Sequence, residues 1–128
     1  MVVDLSRHLP GPLAAHLLAD LGARVVKIEE PALGDPVRHA PPRRGATGAL
    51  GGLLLSGVES VALDLKQPAG RRVLEALLER ADVLLESFRP GTLARLGFAP
   101  EELRARHPRL ILCSISGWGQ SGPYSARA

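Results

Sequence analysis

The side chains best suited to bind a ligand follow five short apolar runs of the chain. They are polar, small or aromatic, and they occupy residues 6–11, 29–31, 64–66, 87–91 and 116–119. Ligands of open α/β sheets bind at the carboxyl ends of the parallel strands. If each apolar run is such a strand, the five stretches meet at one edge of a sheet. This edge is the predicted binding site, and His8 is a candidate contact residue within it.

Catalytic and metal chemistry has few candidates in the sequence. The histidines His8, His16, His39 and His107 are too widely spaced to suggest a metal site. The single cysteine, Cys113, excludes both a zinc site built on cysteine pairs and an internal disulfide. No serine lies in a G-x-S-x-G turn, the nucleophile motif of α/β-hydrolases. The sequence therefore predicts no metal and assigns no catalytic residue.

The first turn after an apolar run has some features of a dinucleotide site. Gly11 precedes a helical pattern, and Glu29 ends the second apolar run. However, the G-x-G-x-x-G motif is absent, and Pro10 and Pro12 flank the glycine. Proline lacks the backbone N–H group that would hold a pyrophosphate. The turn therefore favours a ligand other than NAD.

Apolar periodicity and turn residues predict alternating strands and helices. Strands are predicted at residues 2–5, 24–29, 60–63, 83–86 and 110–115. Helices are predicted at residues 13–21, 68–81, 93–96 and 100–107. Residues 31–57 are rich in proline and glycine, so a long irregular excursion is expected there. The order of elements predicts an α/β fold, an open and mostly parallel sheet with flanking helices.

Composition excludes several classes of protein. At 128 residues, 45% hydrophobic and 23% charged, the chain is one globular domain or part of one, and not a disordered segment. The net charge is +3, but the basic residues are scattered and aromatic residues make up only 3%. A nucleic-acid-binding protein would show a basic stripe with stacking aromatics. A mildly basic surface instead suits a small anionic ligand.

Cysteine usage and hydropathy predict a cytoplasmic protein. Cys113 lies in a predicted strand, where we expect a small buried side chain. A lone cysteine fits a reducing compartment. The first residues lack the features of a signal peptide, and the longest weakly apolar stretch, residues 45–58, is too short and glycine-rich to span a bilayer. We therefore expect no membrane contact.

Taken together, these stretches resemble the N-terminal segment of the family III CoA-transferases. That group includes carnitine and bile-acid CoA-transferases and the α-methylacyl-CoA racemases. The resemblance covers nearly the whole chain, and the matching pieces occur in the expected order. They are VDLS (3–6), PGP (10–12), LADLGA (18–23), VKIE (26–29), GDPVR (34–38), SVALDLK (60–66), ADVLLESFRPG (81–91) and ISGWGQSGPY (115–124).

The resemblance implies a Rossmann-like domain that binds CoA or acyl-CoA, a second smaller domain, and two long chains interlocked like rings. Residues 1–128 would then be an incomplete, N-terminal CoA-binding segment. The CoA contacts implied by matching position are His8, Leu9, Pro10, Leu63, Lys66, Ser87, Phe88 and Arg95. Lys66 and Arg95 suit phosphate groups, arginine through paired hydrogen bonds. The backbone at Ser87 and the ring of Phe88 suit the adenine end.

The chain departs from the family pattern in three respects. Where relatives usually carry a basic run before the third strand, residues 56–59 include Glu59, which is expected to weaken phosphate contacts. Ser87 replaces a common asparagine. Family members are also several times longer, so the resemblance implies that the catalytic aspartate, or the histidine and aspartate of a racemase, lies beyond Ala128.

The resemblance implies the N-terminal part of a CoA-transferase that moves CoA from an acyl-CoA donor to a carboxylic acid acceptor. Two alternatives stay open, a fragment of an α-methylacyl-CoA racemase-type enzyme and a non-catalytic, CoA-binding or truncated chain. The implied assembly is a homodimer or an association with a longer chain.

Overall fold

A computed structural model describes residues 1–127, and for Arg44 it describes the backbone only. The strands are β1 (Val2–Asp4), β2 (Val25–Glu29), β3 (Arg43–Arg44), β4 (Thr47–Gly48), β5 (Glu59–Ala62), β6 (Val83–Glu86) and β7 (Ile111–Ser114). The α-helices are α1 (Pro10–Asp20), α2 (Ala49–Leu54), α3 (Pro68–Leu78), α4 (Thr92–Arg95) and α5 (Pro100–Arg106). A 3₁₀ turn spans Pro36–His39. The five predicted strands and the predicted helices are confirmed, with small differences at their ends.

The main sheet has the strand order β5-β2-β1-β6-β7, and its neighbouring strands pair in parallel. Val3 of β1 pairs with Val26 of β2 on one side and with Leu84 of β6 on the other. Because the strands are parallel, their carboxyl ends meet at one edge. The expected open, parallel α/β fold is confirmed, and β1 lies at its centre.

Helices cover both faces of the sheet because its central strands are apolar on both sides. On one face, Leu74 and Leu78 of α3 pack with Leu93, Phe98 and Leu103, which come from α4, α5 and the loop between them. On the other face, α1 places Ala15 against the strands. Proline begins α1, α3 and α5, where a missing N–H group does no harm to a first helical turn.

The prediction of an irregular excursion at residues 31–57 was wrong in part. This segment holds the 3₁₀ turn, the short β3–β4 hairpin and α2, and it buries Val37 and Leu54. Each of these elements is only two to six residues long. An apolar repeat cannot be recognised in so short a stretch, so the sequence pattern did not predict them. The Asp35 carboxylate caps the 3₁₀ turn by accepting a hydrogen bond from the Val37 amide at 2.8 Å.

Cys113 is exposed, so the expectation of a buried side chain was wrong. Its strand, β7, is the last strand at one edge of the sheet. Ile111, two residues earlier on the same face, is 63% exposed. An apolar strand pattern does not show whether the second face of an edge strand is covered.

Candidate functional site

A series of adjoining clefts runs along the edge where the parallel strands end. Neighbouring clefts share a side chain: Arg7 joins the first to the second, Ser87 the second to the third, and Arg89 the third to the fourth. We call this series the carboxyl-edge groove. Its lining residues include Arg7, His8, Pro10, Leu63, Asp64, Lys66, Ser87, Phe88, Arg89, Pro90, Arg95, Ser116, Gly117, Trp118 and Arg127.

The middle of the groove is a cleft of about 370 Å³ where His8, Pro10 and Ser87 meet Gly117. These residues follow β1, β6 and β7, which are three consecutive strands of the sheet. The Ser87 hydroxyl accepts a hydrogen bond from the Arg7 amide at 2.9 Å. This bond ties the loop after β1 to the loop after β6. Three of the eight sequence-predicted contact residues therefore share one cleft.

One end of the groove carries balanced charge. Here Arg7 and Lys66 share a cleft with Glu30 and Asp64. The Asp64 carboxylate accepts a hydrogen bond from the Lys66 amide at 2.9 Å. Hydrogen bonds from two backbone amides of the following turn lower the pKa of Glu30 below its ordinary value. Glu30 is therefore anionic near neutral pH, and the two carboxylates in this cleft offset the charge of its two cations.

The other end of the groove is positive. Arg89, Arg95 and Arg127 line one cleft with Pro90, and no carboxylate is among its described lining residues. Arg95 donates a hydrogen bond from Nη2 to the Thr92 hydroxyl at 2.6 Å. We call these three side chains the arginine cluster. Lys66 and Arg95, which the sequence paired as phosphate contacts, thus lie in different clefts.

Aromatic side chains line the cleft between the centre and the arginine cluster. Phe88 is half-buried there, and Trp118 is 55% exposed. The Trp118 ring lies against Tyr124, with ring centroids 5.7 Å apart, and the Arg127 guanidinium lies 4.2 Å from the Tyr124 ring centre. This cleft offers flat apolar surface next to cations.

The loop after β1 has an unusual conformation. His8 adopts a φ of 68°, in the left-handed region that residues other than glycine seldom occupy. A Cβ atom at Gly11 would lie 2.1 Å from the Ser6 Cβ atom, so only glycine fits at this point of α1. Such backbone outliers cluster at functional sites. The first helical turn also has proline at positions 10 and 12, as expected from the sequence, and therefore offers few amides to an anion.

A buried ionic cluster, which sequence reasoning missed, lies beneath the groove. The Lys27 ammonium lies 3.0 Å from a carboxylate oxygen of Asp4 and 3.0 Å from one of Asp35, and it donates a 2.7 Å hydrogen bond to the Ser6 carbonyl. The Ser6 hydroxyl donates to Asp4 at 2.5 Å. Asp4 therefore holds Lys27 and Ser6 in place within the fold. The cluster joins β1 and β2 to the 3₁₀ turn.

Glu29 extends this network. Burial by itself would raise the pKa of Glu29, but hydrogen bonds from Arg38, Ser60 and the Asp35 amide outweigh that effect and lower it to about 2. The Arg38 guanidinium donates to both carboxylate oxygens, at 2.7 and 2.5 Å. The Glu29 carboxylate is therefore bound by Arg38, Ser60 and the Asp35 amide. It is not available to bind the ribose of a dinucleotide such as NAD.

Glu59 lies away from the carboxyl edge, so the structure does not support the expectation that it weakens phosphate contacts, and its effect on binding stays a prediction. It is the first residue of β5 and pairs with Val26 near the amino end of β2, whereas the groove lies at the carboxyl ends. Arg24 donates two hydrogen bonds to its carboxylate, at 2.8 and 2.9 Å. The extra negative charge is thus matched locally.

Among the groove arginines, Arg127 was missed from the sequence, and Arg7 and Arg89 were not selected as ligand contacts. Arg7 and Arg89 lie inside the stretches that follow β1 and β6, so their position was visible in the sequence. Arg127 was not, because only the fold of the loop after β7 brings it to Arg95. Leu9 lies outside the groove, in an apolar cleft shared with His8.

Within residues 1–127, no group of three or more histidine, cysteine, aspartate or glutamate side chains is placed to hold a metal ion. Among the described helices, none is both long and apolar enough to cross a membrane.

Comparison with known proteins gives one consistent result. The profile of CoA-transferase family III matches residues 1–128. The chain is 45% identical over 123 residues to acetyl-CoA:oxalate CoA-transferase of Acetobacter aceti, covering 96% of this chain and 32% of the relative. It is also 45% identical over 123 residues to human α-methylacyl-CoA racemase, covering 96% of this chain and 28% of the relative. It thus spans about a third of the length of the curated relatives it matches.

Solved structures agree. A CAIB/BAIF family protein from Brucella suis superposes with a TM-score of 0.92 at 39% identity, covering 99% of this chain and 35% of that one. Rv3272 from Mycobacterium tuberculosis superposes with a TM-score of 0.85 at 37% identity, covering 98% of this chain and 36% of that one. In both structures the region that matches this chain makes up about a third of a longer chain.

Proposed function

Because the chain belongs to CoA-transferase family III, we propose that it is the N-terminal, CoA-binding part of an enzyme that moves CoA from an acyl-CoA donor to a carboxylic acid acceptor. The observation that carries this proposal is the carboxyl-edge groove, which holds cations at both ends and aromatic rings near one of them. CoA is an elongated anion with a flat adenine ring, and its phosphates lie at separate positions. Groove and ligand match in shape and in charge.

The spacing of the cations supports a long ligand. Lys66 follows β5 and Arg95 follows β6, so three strand spacings of about 4.8 Å each lie between the ends of their strands. A single phosphate does not span that distance, whereas a molecule with a pyrophosphate and a ribose phosphate can meet a cation at each end. The arginine cluster carries the stronger positive charge, because two acids accompany Lys66.

In the proposed complex each part of the groove has a separate task. The arginine cluster binds phosphate through charge-assisted hydrogen bonds. Phe88 and Trp118 provide apolar surface for the adenine ring. His8, Pro10 and Ser87 then contact the pantetheine arm at the centre of the groove.

The proposed transfer needs a carboxylate that attacks the donor thioester, and the rest of the enzyme would supply it. The buried carboxylates beneath the groove are already paired, Asp4 and Asp35 with Lys27 and Glu29 with Arg38. Glu30, Asp64 and Glu86 accept hydrogen bonds from backbone amides of their own loops. A nucleophile must be free to approach the thioester carbon. The role of this chain is therefore to bind and orient CoA. We also propose that the enzyme is a homodimer and that it acts in the cytoplasm.

A racemase is the second candidate, because identity to the human α-methylacyl-CoA racemase equals that to the oxalate enzyme. It would use the same groove and exchange the proton α to the thioester carbonyl. A chain that binds CoA without catalysis is the third.

Two measurements test the proposal. Calorimetric titration of the chain with CoA should show saturable binding that weakens as salt is added, since exposed cations contact the phosphates. Absence of saturable binding would refute it. The enzyme that contains this sequence is then given labelled acyl-CoA with carboxylic acids, and separately deuterated water. Label transfer identifies a transferase, whereas α-deuteration alone identifies a racemase.

A further inference from the structure

We propose that the apolar cleft between the loop after β1 and the 3₁₀ turn binds the acyl group of the CoA thioester, and that this acyl group is a hydrocarbon and not a second carboxylate. The inference rests on the proposed CoA-binding function and adds a substrate class to it. The cleft is lined by His8, Leu9, Pro36, Val37, Ala40 and Leu50.

The lining has the chemistry of a hydrocarbon site. Five of its six lining residues are apolar, and His8 is the single polar one. The cleft has a volume of about 220 Å³. An apolar protein cavity of about 150 Å³ is large enough for a benzene molecule. A short or branched acyl chain therefore fits.

The position of the cleft connects it to the proposed CoA site. His8 lines both this cleft and the central cleft of the groove, where Pro10 and Ser87 also lie. A pantetheine arm that follows the groove to His8 would bring its thioester to the mouth of the apolar cleft. The acyl group is the part of the ligand that continues past the thioester.

Contacts within the protein hold the residues that line the cleft in place without a ligand. Asp35 caps the turn that carries Pro36 and Val37, and its carboxylate lies 3.0 Å from the Lys27 ammonium. Helix α2 approaches the same turn closely: a Cβ atom at Gly51 would lie 2.7 Å from the Val37 carbonyl oxygen. A site held in this way loses little conformational freedom on binding.

Charge argues against a dicarboxylic acyl group. The cations behind this wall, Lys27 and Arg38, already pair with Asp4, Asp35 and Glu29. Past His8, a second carboxylate in the cleft would lose water without gaining a polar partner among the described lining residues, which is unfavourable. The lining therefore favours acyl-CoA donors such as isobutyryl-CoA or hexanoyl-CoA over succinyl-CoA.

The test is a series of calorimetric titrations of the chain with CoA, isobutyryl-CoA, hexanoyl-CoA and succinyl-CoA. We expect affinity to rise by up to about fourfold for each methylene that the cleft buries, the change that corresponds to ~0.8 kcal/mol. Succinyl-CoA should bind no more tightly than CoA. In the variant Leu50→Asp the gain from hydrocarbon should disappear while affinity for CoA itself is kept. Asp is compatible with the first turn of α2, where the helix dipole favours an acid.

Two further variants complete the test. Leu50→Ala, a smaller change that keeps the helix, should reduce the hydrocarbon gain by half or more. Leu21→Asp alters a leucine that is 84% exposed outside the cleft and should leave the series unchanged. If CoA binds but all four ligands have equal affinity, or if succinyl-CoA binds best, the acyl inference is wrong and the CoA site stands. If CoA itself does not bind, the proposed function fails, and the acyl inference fails with it.

Discussion

Lys27 and Asp4 form a buried ion pair between the two central strands, with side chains 1% and 0% exposed and 3.0 Å between Nζ and Oδ2. The first prediction concerns this pair. Lys27→Met leaves Asp4 and Asp35 buried without their cation, so we expect the free energy of unfolding to fall by about 3–5 kcal/mol. Urea unfolding followed by circular dichroism measures it. The double variant Lys27→Met with Asp4→Leu should lose less than the sum of the single variants, and strict additivity would show that the pair is not coupled.

The second prediction concerns the stability of the fold in acid. The pKa of Glu29 is lowered to about 2 in the folded protein, so its carboxylate stabilises the fold above the ordinary pKa near 4.5. This contribution is lost as the pH falls from about 4.5 towards 2. Denaturant midpoints measured across that range should therefore decrease for the wild type. In Glu29→Gln the decrease should be smaller, whereas the surface variant Glu79→Gln should follow the wild type.

The third prediction separates the two ends of the groove. Arg95→Gln or Arg89→Gln should weaken CoA binding by roughly tenfold, as expected for the loss of a charge-assisted phosphate contact. Lys66→Gln should have a smaller effect, because Glu30 and Asp64 already offset its charge. Calorimetry with CoA at two salt concentrations checks this order. Arg80→Gln, which follows α3 at the opposite edge of the sheet, is the matched control. A larger loss at position 66 would reverse our assignment of the dominant phosphate site.

The fourth prediction uses two glycines of different surroundings. Gly11→Ala forces a Cβ atom against Ser6 and should destabilise the protein by roughly 1–3 kcal/mol. Gly52, in α2, has no atom within 4 Å of an added Cβ, so Gly52→Ala should stabilise by about 0.5–1 kcal/mol. Thermal unfolding of both variants tests the pair. Equal effects would mean that the loop after β1 is less tightly packed than the structure shows.

The fifth prediction is that the purified chain self-associates. Ile111 on the edge strand β7 and Trp118 in the loop after that strand are 63% and 55% exposed, and exposed apolar strand edges favour association. Light scattering should show a mass that rises with concentration. Ile111→Lys should reduce that rise, whereas Ala105→Lys on the surface of α5 should not. A monomer at every concentration, with the Trp118 fluorescence of a buried indole, would contradict the prediction.

Most of the fold could be predicted from the sequence because its strands are continuous apolar runs and its helices have apolar periods. Leu74 and Leu78 show such a period, and both are buried. The sequence did not predict features that depend on contacts between segments far apart in the chain. The ion pairs of Lys27 are an example, since no local pattern distinguishes a buried lysine in a strand from one at the surface.

The candidate site was likewise predictable in part. Its position was predictable, because parallel strands must end at a common edge, and His8 and Ser87 indeed share a cleft there. Its charge distribution was not. Lys66 and Arg95 were equivalent cations in the sequence, and only their neighbours in space make one end of the groove neutral and the other positive. Whether these residues contact CoA stays a prediction.

The 3₁₀ turn is fixed from behind by Asp35, while Pro36 and Ala40 face the apolar cleft in front. Support and lining are therefore provided by different side chains. Engineering can exploit this division: substitutions at positions 40 and 50 should retune which acyl groups are accepted without loosening the scaffold. In natural relatives the same arrangement would allow substrate preference to drift while the nucleotide end of the groove remained as it was.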